Sequence, residues 1–326
     1  MKATNRTLFM IVLSVFLLGG MAACSKPKEP IKIGISAWAG VEPAELAYRK
    51  GFYEQRGVAV EMVRFSAYTD SIKAFREGRV DADMQTFDDA IRLFTAGRKI
   101  KVVLFTDYSY GGDGIVAKAG INSVADLKGK TVGVEIGTVS HLSLLKAMET
   151  VGLQEDDITI VSIPAWEIKK NFLAGKIDAG ATWEPYLTSS AEEGGGQVII
   201  TSRDYPKAIV TTMALSDELI AKRRDDVQKI VSAYFDAVQF IKEHPHEAYT
   251  IMGQAEGISA EKFAQYVEGI RYIDLAGNKA AFGTAQDGEL YSIGRELGAF
   301  LYKKRVIKSQ PHIDDLLDGS FVNNIK

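Results

Sequence analysis

The pattern of apolar and polar positions divides the chain at once. Leu8 to Leu18 is apolar except for Ser14, follows Lys2 and Arg6, and runs into the small residues Gly19 to Ala23. That three-part layout predicts a secretory leader over residues 1–23. The run is shorter than the roughly 20 residues a membrane-spanning helix needs. From Ile31 the pattern changes to alternation. Ile31-Lys32-Ile33-Gly34-Ile35 reads as a strand, and Pro43 suits the first turn of a helix reaching Gln55, with Gly57 beyond it. Strands over Val58 to Phe65, Val80 to Gln85 and Ile100 to Thr106 then interleave with helices over Thr69 to Glu77 and Asp88 to Ala96. Alternating strands and helices predict a mostly parallel sheet covered by helices on both faces.

The pattern then repeats. The segment Asp70 to Ala82 parallels Glu167 to Ala179 at a constant offset, matching Lys73 with Lys170, Phe75 with Phe172, Gly78 with Gly175 and Asp81 with Asp178. Each copy predicts a helix ended by a left-handed glycine, then a strand. The second copy sits among further elements: a short helix over Ser123 to Lys128, a helix over Val139 to Thr150, and strands over Thr131 to Ile136, Ile158 to Ile163, Ile177 to Trp183 and Val198 to Thr201. The repeat implies two related lobes.

After a strand over Ile209 to Leu215 the chain turns helical, over Asp217 to Arg223, Val227 to Glu243, His246 to Met252, Ala260 to Gly269 and Asp287 to Lys304. A helical tail builds no third sheet, so it is expected to pack on a lobe already made. The division expected is lobe one over 31–115, lobe two over 116–208, and a return to lobe one over 209–326. Two strand-like crossings, Asp113 to Lys118 and Lys207 to Thr212, are expected to form the hinge.

Composition narrows the function. With 39 basic and 42 acidic side chains intermixed, the net charge is −3, and no basic patch points to nucleic acid. Cys24 is the only cysteine, which excludes an intramolecular disulfide, a CxxC pair and a cysteine-based zinc site. Met21-Ala22-Ala23-Cys24 resembles a bacterial lipobox, in which the cysteine becomes the acylated first residue of the mature protein. Residues 24–30 are then a polar, proline-containing tether, and the location expected is a bacterial membrane surface facing the periplasm or the cell exterior.

Over nearly the whole mature chain the sequence resembles substrate-binding proteins of ABC importers in the nitrate/sulfonate/taurine group, which includes binders of a thiamine pyrimidine precursor. The resemblance is carried by Ala39 to Pro43, Lys50 to Tyr53, Gly78 to Ala82, Asp126 to Val134, Gly137 to His141, and Ala174 to Ala179 with Trp183-Glu184-Pro185. It implies the two-lobed type II periplasmic-binding-protein fold, hinge closure on a small molecule, and a separate permease and ATPase as partners. A monomer tied to the membrane only by its lipid is expected, with no cofactor. The alternatives of the same architecture are a binder of the thiamine pyrimidine precursor, or a synthase-like enzyme, and a ligand-sensing subunit.

Ligands of open parallel sheets bind beyond the carboxyl ends of the strands. The loops there hold Trp38, Glu42, Thr86, Asp88, Asp113, Thr138, Ser140, His141, Trp166, Trp183 and Glu184, the residues expected to meet ligand. Thr138 and Ser140 open a helix at the cleft, whose free N–H groups suit an anion, with plain capping as the alternative. The other loops combine acids and aromatics without Arg or Lys, which suits a positive amine or heteroaromatic nitrogen. An aminosulfonate such as taurine fits both halves. An acid before a proline, as in Glu42-Pro43 and Glu184-Pro185, also reads simply as a good helix start. No metal site or enzyme motif such as HExxH, Walker A or GxSxG is present among these residues. Relatives that make the thiamine pyrimidine use a cysteine-rich site, which this chain lacks, so no catalysis is expected.

Overall fold

The structure is a computed structural model, and it describes residues 28–326. The leader and Cys24 lie outside the described residues. In chain order the elements are β1 (Ile31–Ser36), α1 (Glu42–Arg49), α2 (Phe52–Gln55), β2 (Val60–Phe65), α3 (Tyr68–Arg76), β3 (Ala82–Thr86), α4 (Phe87–Thr95), β4 (Ile100–Ser109) and β5 (Asp113–Ala117). Next come β6 (Thr131–Val134), α5 (Val139–Glu149), β7 (Thr159–Ser162), α6 (Ile168–Leu173), β8 (Ala179–Trp183), α7 (Tyr186–Gly194), β9 (Gln197–Thr201) and β10 (Val210–Ser216). The remainder is α8 (Asp217–Glu243), α9 (Pro245–Glu256), α10 (Ala260–Val267), β11 (Ile270–Tyr272), α11 (Leu275–Phe282), α12 (Glu289–Lys303), α13 (Ile313–Leu316) and α14 (Ser320–Asn323).

Two sheets form, with strand orders β11-β4-β10-β3-β1-β2 and β7-β6-β8-β5-β9. Both are mixed rather than mostly parallel. β1 runs parallel to β2 and β3, but β10 is antiparallel to β3 and β4. In the second sheet β6 is parallel to β7 and β8, while β5 is antiparallel to β8 and β9. The antiparallel members β5 and β10 are the strands by which the chain enters each sheet from the other, so they run in from the opposite end. Asp113 to Ala117 and Val210 to Thr212 are thus interior strands, not hinge crossings. The chain passes between the sheets at 110–112 and 202–209.

The repeat seen in the sequence is a repeat of hydrogen bonds. Gly78 and Gly175 end α3 and α6 with φ of 74° and 70°. Asp81 N–H donates to Lys32 O at 2.9 Å, and its Oδ2 accepts from Lys32 N–H at 2.9 Å. Asp178 treats Thr131 identically, at 2.8 and 3.0 Å. In each lobe this aspartate fastens the loop after the helix to the start of a neighbouring parallel strand.

Local departures have simple causes. The helix expected from Pro43 to Gln55 is two helices, because Gly51 takes φ 70° between them. α8 is kinked at Arg223 (φ −139°), which separates the two helices the pattern predicts. The helical tail joins the first core: Ile230, Tyr234, Phe263, Phe282 and Phe321 pack in one cluster with Ile33, Val102 and Met213. Ile115, Val132, Leu144, Met148 and Ala181 centre the second core. Helix α5 serves both, since its Leu142 and Leu145 belong to the first core. No helix of the described residues is long and apolar enough to cross a membrane.

Candidate functional site

A cavity lies where elements of the two sheets meet. Its lining bounds about 410 Å³ of space between atoms, open solvent included, of which about 30 Å³ admits a water-sized sphere. From the first sheet come Ser36, Ala37, Trp38 and Val41 after β1, Met84, Gln85 and Thr86 at the end of β3, Thr211 of β10, and Tyr68 at the start of α3. Asp113 of β5, Val139 of α5, Trp183 at the end of β8 and Ile209 of the linker complete it.

Trp38 is held by geometry that a side chain at position 40 would destroy. Its Nε1 donates to Asp107 Oδ1 at 3.1 Å, and a Cβ on Gly40 would collide with both groups. Gly112 is equally tight, because a Cβ there would lie 2.7 Å from the Trp38 ring. Across the cavity Trp183 meets Tyr68 edge-on at 6.0 Å between centroids and Tyr186 at 6.1 Å. The Tyr68 hydroxyl donates to Asp89 Oδ2 at 2.6 Å, and Thr86 Oγ1 donates to the same oxygen at 3.2 Å.

The charge at the cavity is acidic. No lining residue is Arg or Lys. Burial pushes the Asp113 carboxyl up to about 7, against a hydrogen bond with Ser109 and reinforced by the nearby charges of Asp107, Asp88 and Glu184. Asp107 rises to about 6, its burial only partly offset by hydrogen bonds from Trp38, Thr106 and Thr211. Asp89 rises to about 7, again chiefly through burial and then through Asp88. Such shifts mark carboxylates with too little water and too little positive charge around them.

Of the residues expected at the site, Trp38, Thr86, Asp113 and Trp183 line this cavity together. The others stand outside its lining. Glu42 is fully buried in a two-pronged ion pair with Arg64, at 2.9 Å on each oxygen. Its carboxyl is pushed up to about 8, because burial outweighs Arg64, and Glu256 and Glu45 add repulsion. Asp88 pairs with Arg92 at 2.9 Å. Thr138 Oγ1 donates to Glu135 O at 2.8 Å, and Ser140 is wholly buried beneath the start of α5. His141 Nε2 lies 2.9 Å from Glu155 Oε1. Trp166 is 42% exposed. Glu184 accepts from Thr188 N–H at 3.1 Å and from its hydroxyl, fastening the first turn of α7. Glu42 and Asp88 are thus each engaged by an arginine, and Glu184 by the first turn of its own helix.

Met84, Gln85, Ile209 and Thr211 line the cavity from outside the strand-end loops that the sequence singles out. Tyr68 stands in a loop the strand-end rule does select. Thr211 arrives from far along the chain through β10, and no local signal announces it. Among the described residues no cluster of His, Cys, Asp and Glu is arranged to hold a metal.

Known proteins share this architecture. A Bacillus subtilis protein named for aliphatic sulfonate binding is 22% identical over 329 residues, covering 98% of this chain and 96% of its own. The taurine-binding periplasmic protein of Escherichia coli is 22% identical, covering 83% and 90%. Among solved structures, the alkanesulfonate-binding protein SsuA from Xanthomonas axonopodis pv. citri bound to MOPS superposes with a TM-score of 0.74 at 18% identity, over 90% of this chain and 99% of that one. The desulfurization enzyme DSZB has a TM-score of 0.68 at 15% identity, over 91% and 98%, so the two-lobed periplasmic-binding-protein fold carries both binding proteins and an enzyme. The NMT1-like family model matches residues 25–253. The chain belongs to the NMT1-like family.

Proposed function

We propose that this protein is an extracytoplasmic solute-binding lipoprotein of an ABC importer. On this reading it captures a small amine-containing or zwitterionic organic molecule, of the taurine or sulfonate kind, and delivers it to a membrane permease. The names of its binding-protein relatives support the transport role. The observation that carries the choice of ligand is Asp113: a buried carboxylate in a cavity walled by Trp38, Trp183 and Tyr68 and lacking any lining Arg or Lys. A cationic nitrogen supplies the missing charge and gains attraction from the ring faces. Elements of both sheets contribute to the lining, so a ligand held there favours their approach by its contacts to each. Acylation of Cys24 holds the protein beside its membrane partner.

Thermal-shift screening of the soluble chain tests the ligand class, using taurine, alkanesulfonates, nitrate, choline-like amines and pyrimidine precursors. At about 100 times Kd a true ligand adds roughly 2.7 kcal/mol. Stabilisation confined to nitrate or simple alkanesulfonates would sink the cationic reading. For the anchor, Cys24→Ser is expected to abolish fatty-acid labelling of the expressed protein; undiminished labelling contradicts it.

A further inference from the structure

We propose that Lys303, Lys304, Arg305 and Lys308 form a second contact with the membrane, binding the anionic headgroups of a phospholipid surface. This goes beyond the capture of solute and takes from the proposed function only that the chain is tethered at Cys24.

Charges are intermixed over much of the chain, but no acid occurs from Leu297 to Ile313, a stretch that holds these four cations and His312. Helix α12 ends there in a tight turn: Arg305 takes φ 59°, and Val306 N–H returns to Leu301 O at 2.9 Å. Ile307 is buried, and Lys308 comes back to share a shallow hollow with Tyr302, Lys303 and Arg305. Neighbours in sequence are thus neighbours in space. Lys303, Arg305 and Lys308 are exposed, and none of the four cations forms an ion pair among the described residues. Other cations on or against α12 have partners: Arg295 pairs with Asp314 at 3.1 Å, Lys146 with Glu149 at 3.4 Å, and Lys207 with Glu289. Like charges held together without a counter-charge repel one another, and an anionic surface removes that cost. Tyr302 is exposed among them, an amphipathic ring of the kind that settles at headgroup level. The tether brings a membrane within reach, because the chain from Cys24 to Ile31 spans at most about 25 Å when extended. Ile33, Ala82, Leu215 and Lys101 lie in one row across the first sheet, and Lys101 Nζ donates to Asp315 O, a few residues beyond the cluster. The segment leaving the cluster is therefore fastened at the end of the sheet where the tether enters. A lipid on a flexible tether fixes distance but not orientation, and a basic face against the headgroups supplies orientation.

The test is flotation of the mature chain, carrying Cys24→Ser so that no lipid is attached, with vesicles of phosphatidylcholine alone or with about one-third phosphatidylglycerol. At about 0.1 M salt the chain is expected to bind the anionic vesicles at least about tenfold better than the neutral ones, and to leave them by about 0.5 M salt. Lys303→Gln/Arg305→Gln/Lys308→Gln should weaken that binding at least about tenfold and leave the Tm unchanged, because these exposed side chains make no ion pair to lose. Lys128→Gln/Lys169→Gln/Lys222→Gln has the same net charge and should bind like the parent. Equal loss in both variants would reduce the effect to net charge, and full binding by the cluster variant would place the contact elsewhere; either overturns the proposal. So does equal binding to neutral vesicles, or a Tm of the cluster variant lower by several degrees, which would make the cluster structural. If no vesicle is bound the membrane assignment fails, and binding of a poly-glutamate peptide in that case makes the partner an acidic protein surface. The Cys24 reading is untouched by each of these outcomes, since fatty-acid labelling decides it separately.

Discussion

Asp113 is a carboxyl group beside which no cation stands among the described residues. Burial raises it to about 7, so near neutral pH it is divided between acid and carboxylate. A cationic amine binds the carboxylate, and its affinity should therefore rise as pH increases from 6 to 8. Asp113→Asn should weaken such a ligand at pH 8 by about 1.5–3 kcal/mol, the usual worth of a hydrogen bond to a charged group, and should flatten the pH dependence. Titrations of both proteins at three pH values would check this; an unchanged slope in Asp113→Asn would place the titrating group elsewhere. Trp38 works differently. Its orientation comes from Asp107 and from the absence of side chains at Gly40 and Gly112, which makes it a fixed wall.

At the level of elements, the duplicated helix–glycine–strand unit gives a paired experiment. Gly175 has φ 70° and Gly78 has φ 74°, where alanine is strained by roughly 1–2 kcal/mol. Gly78→Ala and Gly175→Ala should each lower stability by about that amount, measured by urea denaturation. A loss at one site only would mean that the two units differ in their backbone requirements. These elements were readable in the sequence because glycine caps, periodic apolar faces and strand-initiating aspartates are local signals. β11, α11, α13 and α14 were not, being short or aperiodic. Strand direction was also hidden: β10 looks like any other apolar run, and its antiparallel place between β3 and β4 is decided by packing. The cavity lining was legible where a large aromatic stood at a strand end, as at Trp38 and Trp183. Glu42, Asp88 and Glu184 lie outside the cavity lining, and an acid at a helix start looks the same in the sequence whether it faces ligand, Arg64, Arg92 or Thr188. Gln85 drew no notice, since a lone glutamine in a strand carries no pattern.

Over the whole molecule, burial raises several carboxyls, among them Asp107 to about 6, Asp89 and Asp113 to about 7, Glu42 to about 8, and Asp83 well above the carboxylate range. The folded protein then keeps protons that the unfolded chain releases near pH 4. Their contribution is most favourable below about pH 4 and is lost as pH rises through 6 to 8. The ligand-free Tm should accordingly be higher at pH 5.5 than at pH 8, and a saturating cationic ligand should narrow the gap. A Tm that climbs over this range would contradict the assignment. Contacts between the lobes complete the picture: Arg92 of α4 donates to Gly137 O ahead of α5, and Lys146 of α5 lies 3.9 Å from the centroid of the Phe300 ring on α12. The placement of β10 has a further consequence for how the chain is made. All five strands of the second sheet lie between Asp113 and Thr201, so a growing or emerging chain can pair them before any later segment is present. The first sheet is different, because β3 and β4 stay unjoined until Val210–Ser216 is present. Any product ending between 202 and 209 would carry one completed sheet beside an open edge of β3 and a wholly unpaired β4, the kind of edge that invites aggregation.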